Sequence, residues 1–256
     1  MPRARYSMAS LRHCRTGPYP RSNRISAPNC SLYSVTKAST RWRRGLSPQQ
    51  VLFSMWPPQE LTMTEATLDF TATCIVCENV FTPAELDSIE DYGDRLNQKK
   101  AVLAGREGPP DGDPSRIRIT QTAALPFKPD TKWLYDRMQL IIRKVNQQVY
   151  QFDLQGFMEA FQYTVYHGTE GGHYDWHIDW GPNRVQRKLS ASLQLTDPSR
   201  YEGCDLQFHG AREIETAPRD RGAVIVFPSF IQHRVTPCTK GTRKAIVAWT
   251  TGPQFK

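Results

Sequence analysis

The second half of the chain is broken into short runs of strand-forming residues, and this pattern constrains the fold more than any other feature. Seven such runs follow one another, with Gly, Pro and Asp residues between them: 159–167, 172–179, 188–196, 204–209, 223–228, 232–238 and 242–251. Between Leu189 and Leu195 every second residue is apolar and the intervening residues are Ser or Gln, which predicts a half-buried strand. Short strands in such a succession are typical of a sandwich, barrel or jelly roll.

A strand and a helix are predicted ahead of these runs. Residues 68–81 are rich in β-branched and aromatic residues, which indicates a strand. Thr82, Pro83 and Glu85 then supply an N-cap, a proline at the first helical position and the acid of a capping box. We therefore expect a helix that begins here and ends near Leu96.

A second helix should begin at Asp130 or Thr131. Its apolar residues recur at helical spacing, which predicts a face packed against a sheet; they are Leu134, Met138, Ile141, Ile142, Val145 and Val149. Between the two helices, residues 104–116 are rich in Gly, Pro and charge and predict a loop. Because this loop is long, it is a candidate lid or substrate loop.

The positive charge of the chain is concentrated at its N-terminus. The formal net charge of the 256 residues is +8, yet residues 1–62 hold ten Lys or Arg and a single acid, Glu60. The rest of the chain is therefore nearly neutral, and its charge gives no sign of a nucleic-acid surface. Residues 1–62 are also rich in Ser and Pro and lack a sustained helix or strand period, so we expect a segment of low order.

Three interpretations of residues 1–62 stay open. The segment is a mis-assigned start, with Met55 or Met63 as the true one, or an organelle transit peptide, or a basic arm that binds nucleic acid. Apolar runs elsewhere end within about eight residues, too few for a membrane-spanning helix, and no secretory signal is visible. We expect a cytoplasmic protein without membrane contact, or an organelle-targeted one if the segment is a transit peptide.

The cysteines do not predict a metal site. Cys74 and Cys77 form a CxxC pair inside an extended run, where positions i and i+3 point to opposite faces of a strand. No second CxxC completes a zinc site. We therefore expect two buried thiols, and nothing in the six cysteines requires an oxidising compartment.

Two histidines and an aspartate have the spacing of an iron site. His177 and Asp179 lie two apart in a predicted strand, so they share a face, and His233 lies in a later strand. Two His and one carboxylate on one side of a metal form the facial triad of non-haem Fe(II) oxygenases. Spacing alone leaves a second register open, because residues 173, 175, 177 and 179 share one predicted face and His173 with Asp175 repeats the pattern.

A buried arginine near such a site can hold a dicarboxylate. Arg243 follows His233 by ten residues, in the last predicted strand. Its planar guanidinium can bind a carboxylate through two parallel hydrogen bonds. A surface arginine is the alternative, since the neighbouring sequence is generally basic.

Several segments together resemble a known enzyme family. They are YHGTEGGHYDWHID (166–179), RKLSASLQLTDP (187–198), YEGCDLQF (201–208) and FPSFIQHRVTPCTKGTR (227–243). In this order they resemble the prolyl-4-hydroxylase-like 2-oxoglutarate/Fe(II) dioxygenases, in particular the PKHD-type hydroxylases. The resemblance covers about 157–254 and does not extend to 1–62.

The resemblance implies roles for individual residues. It selects His177, Asp179 and His233 as catalytic iron ligands and leaves His173 outside. It places Arg243 on the distal carboxylate of 2-oxoglutarate. Further co-substrate or substrate contacts would come from Tyr166, Tyr174, Gln194 and Trp249, with a plain core position as the alternative for each aromatic. Gln194 stands where many relatives have Tyr, and Ala245 stands where many have Ser, so a hydroxyl contact is expected to be absent.

The resemblance also implies a fold and an activity. The fold would be mainly β with flanking helices, a double-stranded β-helix or jelly roll supported by N-terminal α-helices. Residues 63–156 would form the helical support and 157–254 the Fe(II)/2-oxoglutarate dioxygenase domain. The protein would hydroxylate a prolyl peptide, a protein side chain or a small metabolite, using Fe(II), 2-oxoglutarate, O₂ and ascorbate. A cupin-type non-redox metal enzyme and a degenerate binding module are the alternatives, and a nucleic-acid partner is not expected.

Overall fold

Two β-sheets face each other, and two helices pack on the outer side of the larger one. The computed structural model describes residues 24–26, 73–101, 114–181, 186–210 and 213–254. This is the predicted jelly roll with N-terminal helices. No helix in these ranges is long and apolar enough to cross a membrane.

The larger sheet is a path of eight strands, to which two short strands add at its longest member. In spatial order the path is β1 (Arg24–Ser26), β2 (Ile75–Glu78), β13 (Val224–Pro228), β9 (Arg187–Gln194), β15 (Cys238–Thr251), β7 (Phe161–His167), β5 (Gln121–Leu125) and β3 (Lys99–Lys100). Strands β6 (Gly156–Phe157) and β10 (Tyr201–Gly203) pair with β15. Only the β1–β2 pair is parallel among these described strands.

The smaller sheet is antiparallel and holds five strands in the described ranges. Their order is β12 (Ile214–Thr216), β11 (Leu206–His209), β14 (His233–Val235), β8 (His173–His177) and β4 (Arg118–Ile119). Strands β8 and β14 lie side by side, and this pairing brings two distant parts of the chain to one place.

The first helix, α1 (Pro83–Asp94), begins where the sequence predicts. The Thr82 side chain accepts a hydrogen bond from the Glu85 backbone N–H, and the Glu85 carboxylate accepts one from the Thr82 N–H. This reciprocal pair satisfies two of the unpaired donors at a helix start. Leu86 and Ile89 then pack against the larger sheet.

The second helix, α2 (Lys132–Val145), also agrees with the predicted pattern. Thr131 precedes it, although its hydroxyl donates to the Pro126 carbonyl rather than capping the helix. The buried residues are Leu134, Tyr135, Met138, Ile141, Ile142 and Val145. Val149 lies one turn beyond, in a π-helical turn (Asn146–Tyr150) that packs at the edge of the same core.

Two apolar cores lie on opposite faces of the larger sheet. One joins the helices to the sheet and includes Cys77, and the other lies between the two sheets and includes Val76. Cys74 belongs to the second core, so the two thiols of the CxxC pair do point to opposite sides. Both are buried, and burial raises the pKa of Cys77 to about 12.

Strand β9 corrects one prediction. It is not half-exposed, because every one of its eight residues is buried. Its apolar residues face the helices, whereas Ser190, Ser192 and Gln194 face the space between the sheets. The alternation of apolar and polar residues identified the two faces of β9 correctly. The polar face is buried as well, because the smaller sheet covers it.

The region before residue 157 also holds more strands than predicted. Besides the helices it contributes β2, β3 and β5 to the larger sheet and β4 to the smaller one. Most of the predicted loop 104–116 lies outside the described residues, and its described end forms a short 3₁₀ turn, Pro114–Arg116. Apart from Arg24–Ser26, residues 1–62 also lie outside, so the domain boundaries stay predictions.

Candidate active site

Three potential metal ligands converge between the two sheets. The Nε2 atom of His233 lies 3.6 Å from one Asp179 carboxylate oxygen, and the Nε2 atom of His177 lies 4.0 Å from the other. The ligand atoms of all three residues lie within 4.8 Å of one another. Strand pairing is the cause, since His177 on β8 and His233 on β14 are direct cross-strand partners.

Backbone carbonyls hold both imidazoles in a metal-binding tautomer. The Nδ1 atom of His177 lies 2.7 Å from the Asp175 carbonyl, and that of His233 lies 2.9 Å from the Ile231 carbonyl. Because a carbonyl only accepts hydrogen bonds, both Nδ1 atoms must carry the proton. The lone pair of each Nε2 atom is then directed to the shared space, as in metal sites with an oriented outer shell.

The charge states also suit a cation. Burial and the neighbouring His233 lower the pKa of His177 to about 3, so its imidazole is neutral near pH 7. Burial acts to raise the pKa of Asp179, but His233, His177 and Arg187 outweigh it and lower that pKa to about 2. Neutral imidazole and ionised carboxylate are the forms that bind metals. The donor set therefore fits a divalent ion of the first transition row.

A bulge in β8 changes the predicted face of this strand. Val235 pairs with Tyr174 and His233 pairs with His177, so three steps along β8 match two along β14. The prediction that residues 173, 175, 177 and 179 share one face is therefore wrong. Tyr174 lies beside His177 instead, with its ring stacked at 3.5 Å between centroids.

The competing histidine lies outside the cluster. Both ring nitrogens of His173 face backbone carbonyls, those of Gly171 at 2.9 Å and Arg116 at 3.4 Å. Asp175 is exposed to solvent. The structure thus brings together the register with His177 and Asp179, the same one that the resemblance implies.

A cavity of about 160 Å³ leads from the three ligands to a buried arginine. Arg243 lies on β15 with 3% of its surface exposed, and its Nε and Nη2 atoms donate to the Oε1 atom of Gln194 at 3.1 and 2.8 Å. Arg243 is therefore not a surface residue. The amide of Gln194 orients the guanidinium but brings no negative charge to it.

The three predicted aromatic residues all line this cavity. The ring of Tyr166 lies 5.6 Å from the Arg243 guanidinium carbon, and burial raises the pKa of its phenol. Tyr174 stacks on His177, and Trp249 lies under the Arg187 guanidinium at 3.8 Å. All three are thus both packed and facing the cavity, so the alternatives of core residue and contact residue are not exclusive here.

Some residues of the site were not predicted. The Ser190 hydroxyl donates to the Asp179 carboxylate at 2.7 Å, and the Arg187 side chain pairs with Glu159 at the cavity wall. Thr164 stands opposite Ala245 on the neighbouring strand and donates its hydroxyl to the Ala245 carbonyl. The polar residues that alternate along β9 were the available signal for Ser190, once a second sheet was expected to cover them.

Comparisons with known proteins agree with this geometry. Residues 161–251 match the family model described as the 2OG-Fe(II) oxygenase superfamily. A PKHD-type hydroxylase of Pseudomonas fluorescens is 34% identical over 89 residues, which are 32% of this chain and 39% of the relative. A PKHD-type hydroxylase of Gloeothece citriformis is 42% identical over 82 residues, 31% of this chain and 37% of the relative. The matches thus span about two fifths of the length of these relatives.

Solved structures share the fold at low sequence identity. A prolyl-4-hydroxylase of Pseudomonas putida superposes with a TM-score of 0.55 at 18% identity, over 72% of this chain and 94% of that one. A prolyl hydroxylase of Trichoplax adhaerens, in complex with a hypoxia inducible factor peptide fragment, gives a TM-score of 0.57 at 19% identity, over 70% and 83%. These likenesses establish the jelly-roll architecture.

Proposed function

Because residues 161–251 match the 2OG-Fe(II) oxygenase superfamily, we propose that this protein is an Fe(II)- and 2-oxoglutarate-dependent dioxygenase that hydroxylates its substrate. One observation carries the proposal. A cavity with His177, Asp179 and His233 at one place ends at a buried guanidinium that faces no carboxylate in the described chain. This arrangement suits a ligand with a metal-binding end and a distal carboxylate.

The chain's own residues would prepare the iron site. His177, Asp179 and His233 would hold Fe(II) on one face, and the remaining positions would stay open to co-substrate and O₂. When bound, the iron supplies the redox chemistry that couples oxidation of 2-oxoglutarate to succinate and CO₂ with hydroxylation of the substrate. Ser190 would fix the Asp179 carboxylate, and the two backbone carbonyls would fix the imidazoles.

Arg243 would bind the distal carboxylate of 2-oxoglutarate. Its side chain is already oriented by Gln194, so little conformational freedom would be lost on binding. A charge-assisted pair is stronger than a neutral hydrogen bond, and the enclosed site shields it from water. Gln194 and Tyr166 would add contacts to the same carboxylate, and Tyr174 and Trp249 would line the space for co-substrate or substrate.

The proposed substrate is a prolyl peptide, another protein side chain or a small metabolite. A peptide is supported by the bound peptide of the Trichoplax prolyl hydroxylase, although that complex shares only the fold with this chain. Ascorbate would serve to restore oxidised iron, in keeping with the resemblance to prolyl hydroxylases.

A cytoplasmic location is proposed on the state of the thiols. Cys204 and Cys238 are both buried in the core between the sheets and form no disulfide there. Unpaired thiols of this kind are usual in reducing compartments.

The decisive experiment follows two products of one reaction. Purified full-length protein is supplied with Fe(II) and 2-oxoglutarate, and succinate formation and O₂ uptake are measured together, with Asp179→Ala as the matched inactive variant. We expect both signals in the wild type only. Metal binding without succinate formation would instead support a non-redox enzyme or a binding module.

A further inference from the structure

A second guanidinium faces the cavity with no carboxylate paired to it among the described residues, and the proposed function does not use it. Arg118 lies on β4, the edge strand of the smaller sheet, directly across from Tyr174 on β8. Its guanidinium carbon lies 4.4 Å from the centre of the Tyr174 ring, which stacks in turn on His177 at 3.5 Å. The distance from the Arg118 guanidinium carbon to the centre of the His177 ring is therefore at most the sum of these two distances.

The hydrogen bonds of Arg118 are incomplete. Its Nη2 atom donates to the Oε1 atom of Gln162 at 3.2 Å, and this is its one hydrogen bond in the described residues. Its Nε atom is buried there and has no acceptor. The remaining N–H groups of the guanidinium, which lines the cavity, likewise have no acceptor among the described residues, so a ligand in the cavity is the natural partner for this group.

Arg234 shows that an arginine of the smaller sheet can stack on a ring and still have its Nε–H paired. Arg234 lies on β14 of the same sheet and stacks on Trp176 at 4.6 Å. Its Nε atom donates to the Oε1 atom of Gln207 at 2.9 Å. The two arginines have the same kinds of partner, a ring and a Gln amide, yet only Arg118 lines the cavity and only its Nε atom lacks an acceptor.

We propose that Arg118 binds a carboxylate of the substrate that is oxidised. This inference rests on the proposed function, in which the two ends of 2-oxoglutarate are taken by the metal and by Arg243. The unpaired positive charge selects a carboxylate over a neutral carbonyl, because a charge-assisted pair supplies both the acceptor and the counter-charge. The substrate thus carries its carboxylate either on an acidic side chain of a peptide or as a free carboxylic acid.

The position of Arg118 also restricts where the carboxylate lies in the substrate. One ring separates the guanidinium from a metal ligand, so the carboxylate and the oxidised carbon belong to the same residue or to neighbouring residues. An acidic group remote from the oxidised carbon would not reach Arg118 while that carbon stands at the metal.

The first test observes the guanidinium directly. Isotopically labelled full-length protein is loaded with Zn(II) in place of iron and with saturating 2-oxoglutarate, and the arginine Nε–H resonances are followed by NMR. The Arg118 resonance is assigned by its loss in Arg118→Lys, and the Arg234 resonance, assigned in the same way, is the matched control. The probes are N-acetylglutamate α-amide, its neutral glutamine isostere and N-acetylglycine, which carries a terminal carboxylate.

We expect N-acetylglutamate α-amide or N-acetylglycine to shift the Arg118 resonance while the glutamine isostere leaves it in place and Arg234 does not respond. The probe that acts more strongly distinguishes an acidic side chain from a free acid. Equal shifts from the charged and neutral isosteres, or no shift from either acid, would overturn the proposal. So would a shift caused by 2-oxoglutarate alone, because Arg118 would then belong to the co-substrate.

The second test uses turnover and separates this inference from the proposed function. Acid and amide forms of one oxidised substrate should differ in KM by about tenfold or more in the wild type and by less than about twofold in Arg118→Gln. Arg234→Gln should keep the wild-type ratio, and the KM for 2-oxoglutarate should stay unchanged in both variants. An unchanged ratio in Arg118→Gln contradicts the inference alone. Absence of succinate from the wild type contradicts the proposed function, and the NMR result still decides the role of Arg118.

Discussion

The two sheets hold the two halves of the candidate site under different packing constraints. The larger sheet carries Arg243 and Gln194, both almost fully buried, and its other face packs on α1 and α2. The smaller sheet carries His177 and His233, and residues on its outer side, such as Gln207, are partly exposed. Changes in the larger sheet should therefore affect stability, whereas changes in the smaller one should affect metal binding with less effect on the fold.

The largest effect is expected from a ligand on the smaller sheet. His177→Ala should abolish Fe(II) binding and 2-oxoglutarate turnover, because it removes one of three donors from an otherwise intact cluster. Iron titration and succinate formation measure the two effects. His173→Ala is the matched control on the same strand and should keep iron bound. Loss of iron binding in His173→Ala would mean that His173, rather than His177, is the ligand.

The contrast in packing predicts a large difference in stability. Leu193 is fully buried in the core between sheet and helices, and Leu193→Ala should lower the free energy of unfolding by about 2–5 kcal/mol. Gln207→Ala, on the outer side of the smaller sheet, removes only hydrogen bonds with Arg234 and Thr216 and should lower it by about 0.5–1.5 kcal/mol. Urea denaturation of both variants measures the difference. Similar losses would mean that the two sheets are packed alike.

A change at Arg243, on the larger sheet, should alter the affinity for 2-oxoglutarate. Arg243→Ala should raise the KM for 2-oxoglutarate by a factor of about 10–150, which corresponds to about 1.5–3 kcal/mol for a charged hydrogen-bonded pair. Arg243→Lys should lose less, since it keeps the charge without the planar fork. Lys244→Ala is the control, because Lys244 faces the opposite way and pairs with Glu90 and Asp94 on α1. An unchanged KM in Arg243→Ala would contradict the binding of 2-oxoglutarate by Arg243.

A hydrogen bond from the larger sheet to a ligand should have a smaller effect. Ser190→Ala removes the donor to the Asp179 carboxylate and should weaken metal binding by about 10–100-fold while the three ligands remain. Competition with a chelator measures the affinity. Ser192→Ala, two residues along the same face of β9, is the matched variant, and an equal loss there would indicate a general disturbance of the strand.

The smallest effect concerns the ion pairs that join α1 to the larger sheet. Burial acts to raise the pKa of Asp94, but hydrogen bonds from Lys244 and Tyr163 outweigh it and hold that pKa below its ordinary value of 3.8. A depressed pKa stabilises the fold above the ordinary value and loses this contribution as the pH falls through the folded value. Asp94→Asn should therefore lower stability by under about 1 kcal/mol at pH 7 and approach the wild type in acid.

Stability measurements across this pH range check the sign. A gap between Asp94→Asn and the wild type that stays constant from pH 7 into acid would contradict the ion-pair explanation.

The elements that could be predicted are those encoded by local patterns. The capping box at Thr82 and the apolar face of α2 each depend on residues within a few turns, and both helices appear where expected. The short strands β4, β6 and β10 were missed, because two or three residues carry no period and become strands only by pairing with distant segments.

The sequence by itself predicted a succession of short strands, two histidines and an aspartate at ligand spacing, and an arginine in the last strand. The jelly roll, and the choice of His177 and Asp179 over His173 and Asp175, came from the resemblance of several segments in order, because alternation and spacing left other folds and a second register open. The tertiary structure alone decided that the polar face of β9 meets a cavity, that a bulge stacks Tyr174 on His177, and that Arg118 joins the site from an edge strand. The physical reason is that a period of two tells which residues share a face, whereas long-range strand pairing decides what that face meets.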